Sequence, residues 1–207
     1  MYKREVHEYA QQVKRNVEKN IQKNANKHAK FWDYPACVSI CSGRKLGFYV
    51  KEYSESYIFS KDIDWFFKMN NRYIHVASAG GKLPAIINDR EKLRQIQYEV
   101  YNLPYIFSAE EIRINQGFIR QLLSPQLNDN PQIYDNYLES FTNFARKGFI
   151  SCDRTEIENE MSNIYHVVCV PPSFDFGLQI ENIPIIINQD YQLNINQIGI
   201  KFLDIVK

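Results

Sequence analysis

Apolar residues recur at three- and four-residue spacing through the first thirty positions: Val6, Tyr9, Val13, Val17 and Ile21. A stripe of that period predicts one amphipathic helix over residues 1–30. The pattern then changes. ACVSICS (36–42) and KLGFYVKEY (45–53) flank Gly43-Arg44, which predicts β structure and a hairpin within residues 34–59. DIDWFFKM (62–69) is too short and too uniformly apolar for either period to be assigned. RYIHVAS (72–78) is apolar on both faces and predicts an interior strand.

Further along, NDREKLRQIQYEVYN (88–102) predicts a helix capped by Asn88 or Asp89, with Leu93, Ile96 and Val100 inward and Pro104 as a stop signal. SAEE (108–111) is a capping box, expected to open a helix through Phe118, Ile119, Leu122 and Leu123 to Pro125. Asn130-Pro131 should begin the next, with Ile133, Tyr134, Tyr137, Leu138, Phe141, Phe144 and Ala145 on its apolar face and Gly148 at its end. FISC (149–152) and IYHVVCV (164–170) predict a hairpin. From residue 174, Ile183/Ile185/Ile187, Tyr191/Leu193/Ile195 and Ile198/Ile200/Phe202 alternate like an antiparallel meander. Strands and helices are segregated rather than strictly alternating, so the expected fold is one α+β domain over 1–207: a basic helix (1–30), an α+β core (31–173) and a β meander (174–207).

Composition narrows the class. The 207 residues carry 25 Lys and Arg against 24 Asp and Glu, so overall charge of +1 specifies no partner. Locally the balance differs: residues 1–30 hold eight Lys/Arg against three Glu, a charge of +5. Arg15, Lys19, Lys23, Lys27 and Lys30 form a ridge that could meet a polyanion, either nucleic acid or an acidic protein. The same ridge is also compatible with a plain solvated helix face. No window approaches 18 apolar residues and the start lacks the apolar core of a signal peptide. The four cysteines (37, 41, 152, 169) are therefore expected as reduced thiols in a cytoplasmic protein.

Candidate chemistry centres on VASAGGKLP (76–84). Glycines after a strand let backbone amides approach an anion, and Ser78, Gly80, Gly81 and Lys82 could hold a phosphate-bearing or nucleotide-like ligand. The spacing matches neither a P-loop nor a dinucleotide fingerprint, and Pro84 forbids a helix from starting at once. The plainer alternative is a tight structural turn. His75, in the strand leading to this loop, is the candidate general acid/base of a small enzyme, or else a hydrogen-bonded core residue. Cys152 and His166 could approach across the 149–170 hairpin as a thiol–imidazole pair, although buried inert cysteine is the commoner case.

CVSIC lacks a partner motif for a zinc site, so neither metal nor cofactor is expected. Residues 108–170 trace the outline of a winged helix-turn-helix. Its would-be wing holds Asp153, Glu156, Glu158 and Glu160 against Arg154, which would repel phosphates and reads instead as an acidic solvated loop. Trp65-Phe66-Phe67 is the expected source of any exposed aromatic assembly patch. The leading expectation is a binding or regulatory protein that meets a polyanion through its first helix. The alternative is a small enzyme on a phosphate-bearing ligand at Gly80-Gly81-Lys82.

Overall fold

A computed structural model describes residues 52–127, 132–159, 161–174, 177, 179–188 and 191–206. The basic helix expected from the sequence, and the expected 36–53 hairpin up to residue 51, lie outside them. The described elements run α1 (Glu55–Phe59), β1 (Asp64–Met69), β2 (Arg72–Ala77), α2 (Arg90–Asn102), a 3₁₀ turn (Ala109–Glu111), β3 (Arg113–Ile114), α3 (Gln116–Leu127), α4 (Ile133–Arg146), β4 (Phe149–Arg154), β5 (Tyr165–Val170), β6 (Ile185–Ile186) and α5 (Phe202–Ile205). The class is α+β, around a mixed six-stranded sheet ordered β3-β5-β4-β2-β1-β6.

Two antiparallel hairpins, β1–β2 and β4–β5, join edge to edge through the parallel pair β2–β4. Asn70 and Asn71 turn the first hairpin with φ of 48° and 62°, the left-handed pair a two-residue connection requires. Register places Asp64, Ala77, Asp153 and His166 in one row across four strands. Side chains alternate across the sheet, so the two faces build separate cores. One gathers Trp65, Phe67, Ile74, Val76, Ile150 and Cys152 against Leu193, Ile200 and Phe202 of the tail. The other puts Ala77, Val168 and Cys169 under Ile119, Leu138 and Phe141, with Phe66 and Phe149 under Val100 and Phe144.

α2 forms for the reasons its sequence gives. The Asp89 carboxylate accepts the Glu91 and Lys92 amides, each at 3.2 Å, and Leu93, Ile96 and Val100 are buried. Its other end is tied down by Lys147, whose ammonium donates to the Val100 and Tyr101 carbonyls at 3.1 and 3.0 Å.

Several expectations are corrected. The capping box at 108–111 caps only a 3₁₀ turn, because Ile112 returns to extended backbone and Arg113–Ile114 pair with β5 before α3 begins. DIDWFFKM supplies β1, and residues 55–59 of the expected β region are helical. Trp65, Phe66 and Phe67 are fully buried, since β1 is covered on both faces, and offer no aromatic patch. Among the described residues the tail is no meander: it contributes two residues parallel to β1, one bridge from Ile200 to Tyr165, and the short α5.

Candidate functional site

β2 and β4 are parallel, so the segments leaving them, 78–82 and 155–159, emerge at the same end of the sheet. That end carries most of the unusual chemistry. The diglycine loop is stitched to the segment before β1. Ser78 donates its amide to Ile63 O at 3.1 Å and accepts the Ile63 amide on Oγ at 2.8 Å. Ala79 N–H goes to Asp62 Oδ1 at 2.7 Å, Gly80 N–H to Lys61 O at 3.1 Å, and Gly81 N–H to Ser78 O at 2.7 Å. These amides bond to their own chain and form no anion nest, which corrects the sequence reading of Ser78, Gly80 and Gly81 as the cradle.

The two glycines have different causes. Gly80 has φ +73°, and a Cβ there would sit 2.9 Å from Phe59 O. At Gly81 the constraint is close neighbours: a Cβ would lie 2.9 Å from the Ser78 carbonyl oxygen of its own turn, 2.8 Å from Arg154 Nη1 and 3.0 Å from Arg154 Cδ. Gly81 is therefore small because both the turn's own backbone and the side chain of the last β4 residue crowd it. Lys82 follows, half-buried.

Arg154 is 1% exposed. Its Nη2 donates to Ile157 O at 2.7 Å, while Nε and Nη1 have no hydrogen-bond partner among the described residues. Tyr165, its cross-strand partner in register, is fully buried, and its hydroxyl is likewise unpartnered. Residues paired this way stand about 5 Å apart at Cβ on one face. Burial pushes the Tyr165 phenol up to about 12. The neighbouring carboxylates of Asp62 and Asp153 are raised by burial and feel the Arg154 charge, which lowers both, but they accept their hydrogen bonds from other groups. Asp62 holds the Ala79 amide, and Asp153 holds the Tyr137 hydroxyl and the Arg154 amide.

On the opposite face, under α4, lie two imidazole–carboxylate networks. His75 is 1% exposed, its ring 3.9 Å from that of Phe144. Its Nε2 lies 2.9 Å from Asp64 Oδ1 and its Nδ1 3.2 Å from Ser151 Oγ, which donates to Phe141 O at 3.0 Å. Tyr101 OH donates to Asp64 Oδ2 at 2.7 Å. Burial alone would raise the Asp64 carboxyl, but the His75 hydrogen bond and charge and the Tyr101 hydroxyl outweigh it and hold Asp64 below the usual range. His75 thus sits inside a ring-lined core, engaged at both nitrogens, and does not reach the loop as the expected acid/base.

In the second network Tyr137 OH lies 2.8 Å from Asp153 Oδ2 and 3.2 Å from His166 Nε2, and His166 Nδ1 lies 3.1 Å from Thr155 Oγ1. Burial pushes the Asp153 carboxyl up to about 7 and the His166 imidazole down to about 4. Asp153 and Arg154 are strand-end core residues, not part of a solvated wing. Cys152 pairs in register with Val167 and belongs to the opposite face from His166, so hairpin register separates the thiol from the imidazole expected beside it. Burial also raises the Cys152 thiol well above its ordinary value.

Arg15, Lys19, Lys23, Lys27 and Lys30 lie outside the described residues. A cleft of about 80 Å³ at the far end of the sheet, lined by Met69, Asn70, Arg72 and Leu193, lies away from this chemistry. Among the described residues no three His, Cys, Asp or Glu side chains converge as metal ligands, and no helix is long and apolar enough to cross a membrane. No protein family, curated protein or solved structure matches the chain.

Sequence reasoning missed Arg154, Tyr165 and Tyr137. The available signal for Arg154 was the run FISCDR, whose strand-like apolar pattern continues into a charged pair that cannot stay buried without partners.

Proposed function

We propose that the protein binds a small oxyanion, a phosphate- or carboxylate-bearing ligand, between the loops that follow β2 and β4, with Arg154 and Tyr165 as its donors. The carrying observation is a partly unmet guanidinium: Arg154 Nε and Nη1 are buried with no acceptor among the described residues. Leaving such donors unmet costs about 1–3 kcal/mol each, and more for a charged group. A native structure that keeps them ordinarily has a water or ion to meet them. Guanidinium is also the side chain best shaped for a bidentate oxyanion. Compared with the sequence-based expectation, Gly81 leaves room for the Arg154 side chain and for the turn's own Ser78 carbonyl instead of presenting amides.

The test is a thermal melt with inorganic phosphate and sulfate. Wild-type protein is expected to melt higher as either anion is added. Arg154→Gln should abolish the shift. Tyr165→Phe removes an unmet hydroxyl without changing shape, so the ligand-free variant should be more stable by about 1 kcal/mol and gain less from the anion. A wild-type melting point indifferent to both anions, or a Tyr165→Phe variant less stable than wild type, overturns the reading.

A second reading rests on charge segregation. Residues 1–30 carry eight cations and three acids, which leaves seventeen Lys/Arg against twenty-one Asp/Glu in residues 31–207. A cationic segment attached to an anionic remainder favours a polyanionic partner for residues 1–30. Retention of the full chain on heparin at low salt, lost when Arg15, Lys19, Lys23 and Lys27 become Gln, is the expected result. Absence of retention at low salt removes it.

A further inference from the structure

Tyr137 holds one hydroxyl proton between two acceptors, Asp153 Oδ2 at 2.8 Å and His166 Nε2 at 3.2 Å. Beyond His166 the chain ends on Thr155 Oγ1, a hydroxyl that can donate or accept. Counting protons along this chain gives two complete arrangements. With Asp153 ionised, Tyr137 donates to the carboxylate, His166 donates from Nε2 to the tyrosine oxygen, and Thr155 donates to Nδ1. With Asp153 protonated, its O–H donates to Tyr137, Tyr137 donates to Nε2, and His166 donates from Nδ1 to Thr155. Every bond is satisfied in both, and every direction is reversed.

We infer that Asp153, Tyr137, His166 and Thr155 form a one-proton switch, and that its protonated setting strengthens oxyanion binding at Arg154. The coupling rests on the oxyanion reading above; the switch itself does not. The link is short. Asp153 and Thr155 flank Arg154 in the chain, Asp153 Oδ1 accepts the Arg154 amide at 2.8 Å, and the Arg154 guanidinium holds the segment after β4 through Ile157 O. Neutralising Asp153 removes a negative charge from beside the anion's cation.

Among the described residues the charged and titratable groups around Asp153 are Tyr137 from α4, Tyr165, His166 and Cys169 from β5, Asp62 from the segment before β1, and Cys152 and Arg154 on its own strand. α3 contributes the Phe118 ring, 4.8 Å from the imidazole. Of these, His166 stays neutral because burial lowers it to about 4, so it changes tautomer instead of charge. Asp153, raised by burial to about 7, is the group placed to take the proton near neutrality.

The experiment is a pH series of long-range proton–nitrogen spectra on the full chain labelled at histidine nitrogen, between about pH 5.5 and 8.5. In wild type the neutral His166 ring should carry its proton on Nε2 at the alkaline end and on Nδ1 at the acid end. Asp153→Asn, whose amide donates as the protonated acid would, should show the Nδ1–H form throughout. Tyr137→Phe should give one tautomer mixture at every pH. A wild-type ring that keeps one tautomer across the range, or that becomes imidazolium within it, overturns the switch.

Sulfate, whose charge is constant over this range, reads the coupling by calorimetry. Wild type should bind roughly tenfold tighter at the acid end, and Asp153→Asn should bind with one affinity throughout. Equal wild-type affinities at both ends overturn the coupling. Sulfate binding at no pH overturns the oxyanion reading together with the coupling, and the tautomer spectra then decide the switch alone.

Discussion

Two regions of the same sheet face place a carboxylate and an imidazole near one another and obtain opposite results. In the β1–β2 hairpin Asp64 touches His75 directly and also receives the Tyr101 hydroxyl, so its charge is held and its pKa falls. In the β4–β5 hairpin the Tyr137 hydroxyl stands between Asp153 and His166, the imidazole stays neutral, and the carboxyl is pushed up to about 7. Both acids occupy the same row, separated by β2 and its Ala77. Direct imidazole contact therefore outweighs burial at Asp64, whereas at Asp153 burial wins over the Tyr137 hydroxyl and the Arg154 amide that oppose it. Direct contact lets the imidazole support the carboxylate through a hydrogen bond and through charge, whereas a tyrosine supplies one proton and no charge.

The largest way to break this contrast is to remove the direct pair. Asp64→Asn leaves the buried His75 ring beneath Phe144 without its acceptor charge, and breaking a pair of this kind costs about 3–5 kcal/mol. Asp64 is 28% exposed, so the lower part of that range is expected. Urea unfolding near neutral pH measures it; a loss below about 1 kcal/mol would mean the pair carries no special weight.

How far this was legible in the sequence depended on whether a signal was local. α2 could be read because its cap and stripe are its own: Asp89 accepts two amides within its first turn, and Leu93, Ile96 and Val100 follow at helical spacing. The β4–β5 hairpin could be read from two apolar runs. β1 could not, since a strand buried on both faces has no period. The tail misled for the converse reason. Ile183, Ile185 and Ile187 alternate like a strand, yet Ile183 is buried while Ile185 and Ile187 are exposed. Tail packing there is set by isolated anchors such as Leu193, Ile200 and Phe202 rather than by a ladder.

At the site, the diglycine drew attention correctly but for the wrong partner. Gly81 meets the Ser78 carbonyl of its own turn and also Arg154, 73 positions later in the chain, which the parallel register of β2 on β4 brings beside it. Tyr137 was placed on the apolar face of α4, as its ring is, but the target of its hydroxyl is set by β4 and β5.

The second region offers a smaller effect of distinctive sign. Asp153 is raised in the folded state above its unfolded value near 3.8, so the folded protein binds the extra proton between about pH 4 and 7. Its contribution is present below that window and lost as pH rises through 7. His166 works the other way: lowered from 6.5 to about 4, it contributes stability that appears as pH rises through that interval. Asp64, lowered, contributes above its unfolded value and is lost only in stronger acid. Asp153→Asn isolates the first of these. Relative to wild type, the variant should gain a few kcal/mol between about pH 4 and 7, where the unfolded chain has lost the proton that the folded carboxyl keeps, and nothing further above that window. A wild-type-minus-variant difference that is flat with pH would place Asp153 in an ordinary carboxylate environment.

The smallest effect sharpens the comparison most, because it asks whether a tyrosine hydroxyl does the same work in both regions. Tyr101 is half exposed and gives Asp64 a second hydrogen bond; Tyr137 gives Asp153 its bridge to an imidazole. In the first region His75 still holds the charge when the hydroxyl is gone. Tyr101→Phe should therefore cost about 1 kcal/mol, the net worth of a hydrogen bond to a charged group with access to water, and should raise the Asp64 titration slightly toward its ordinary value. In the second region nothing replaces the hydroxyl, so Tyr137→Phe should lift the Asp153 titration further and cost more. Carboxylate titrations followed by carbon NMR compare the two directly. Equal displacements of Asp64 and Asp153 would show that direct contact with the imidazole adds nothing to what a tyrosine provides, and the contrast between the two networks would then have no chemical basis.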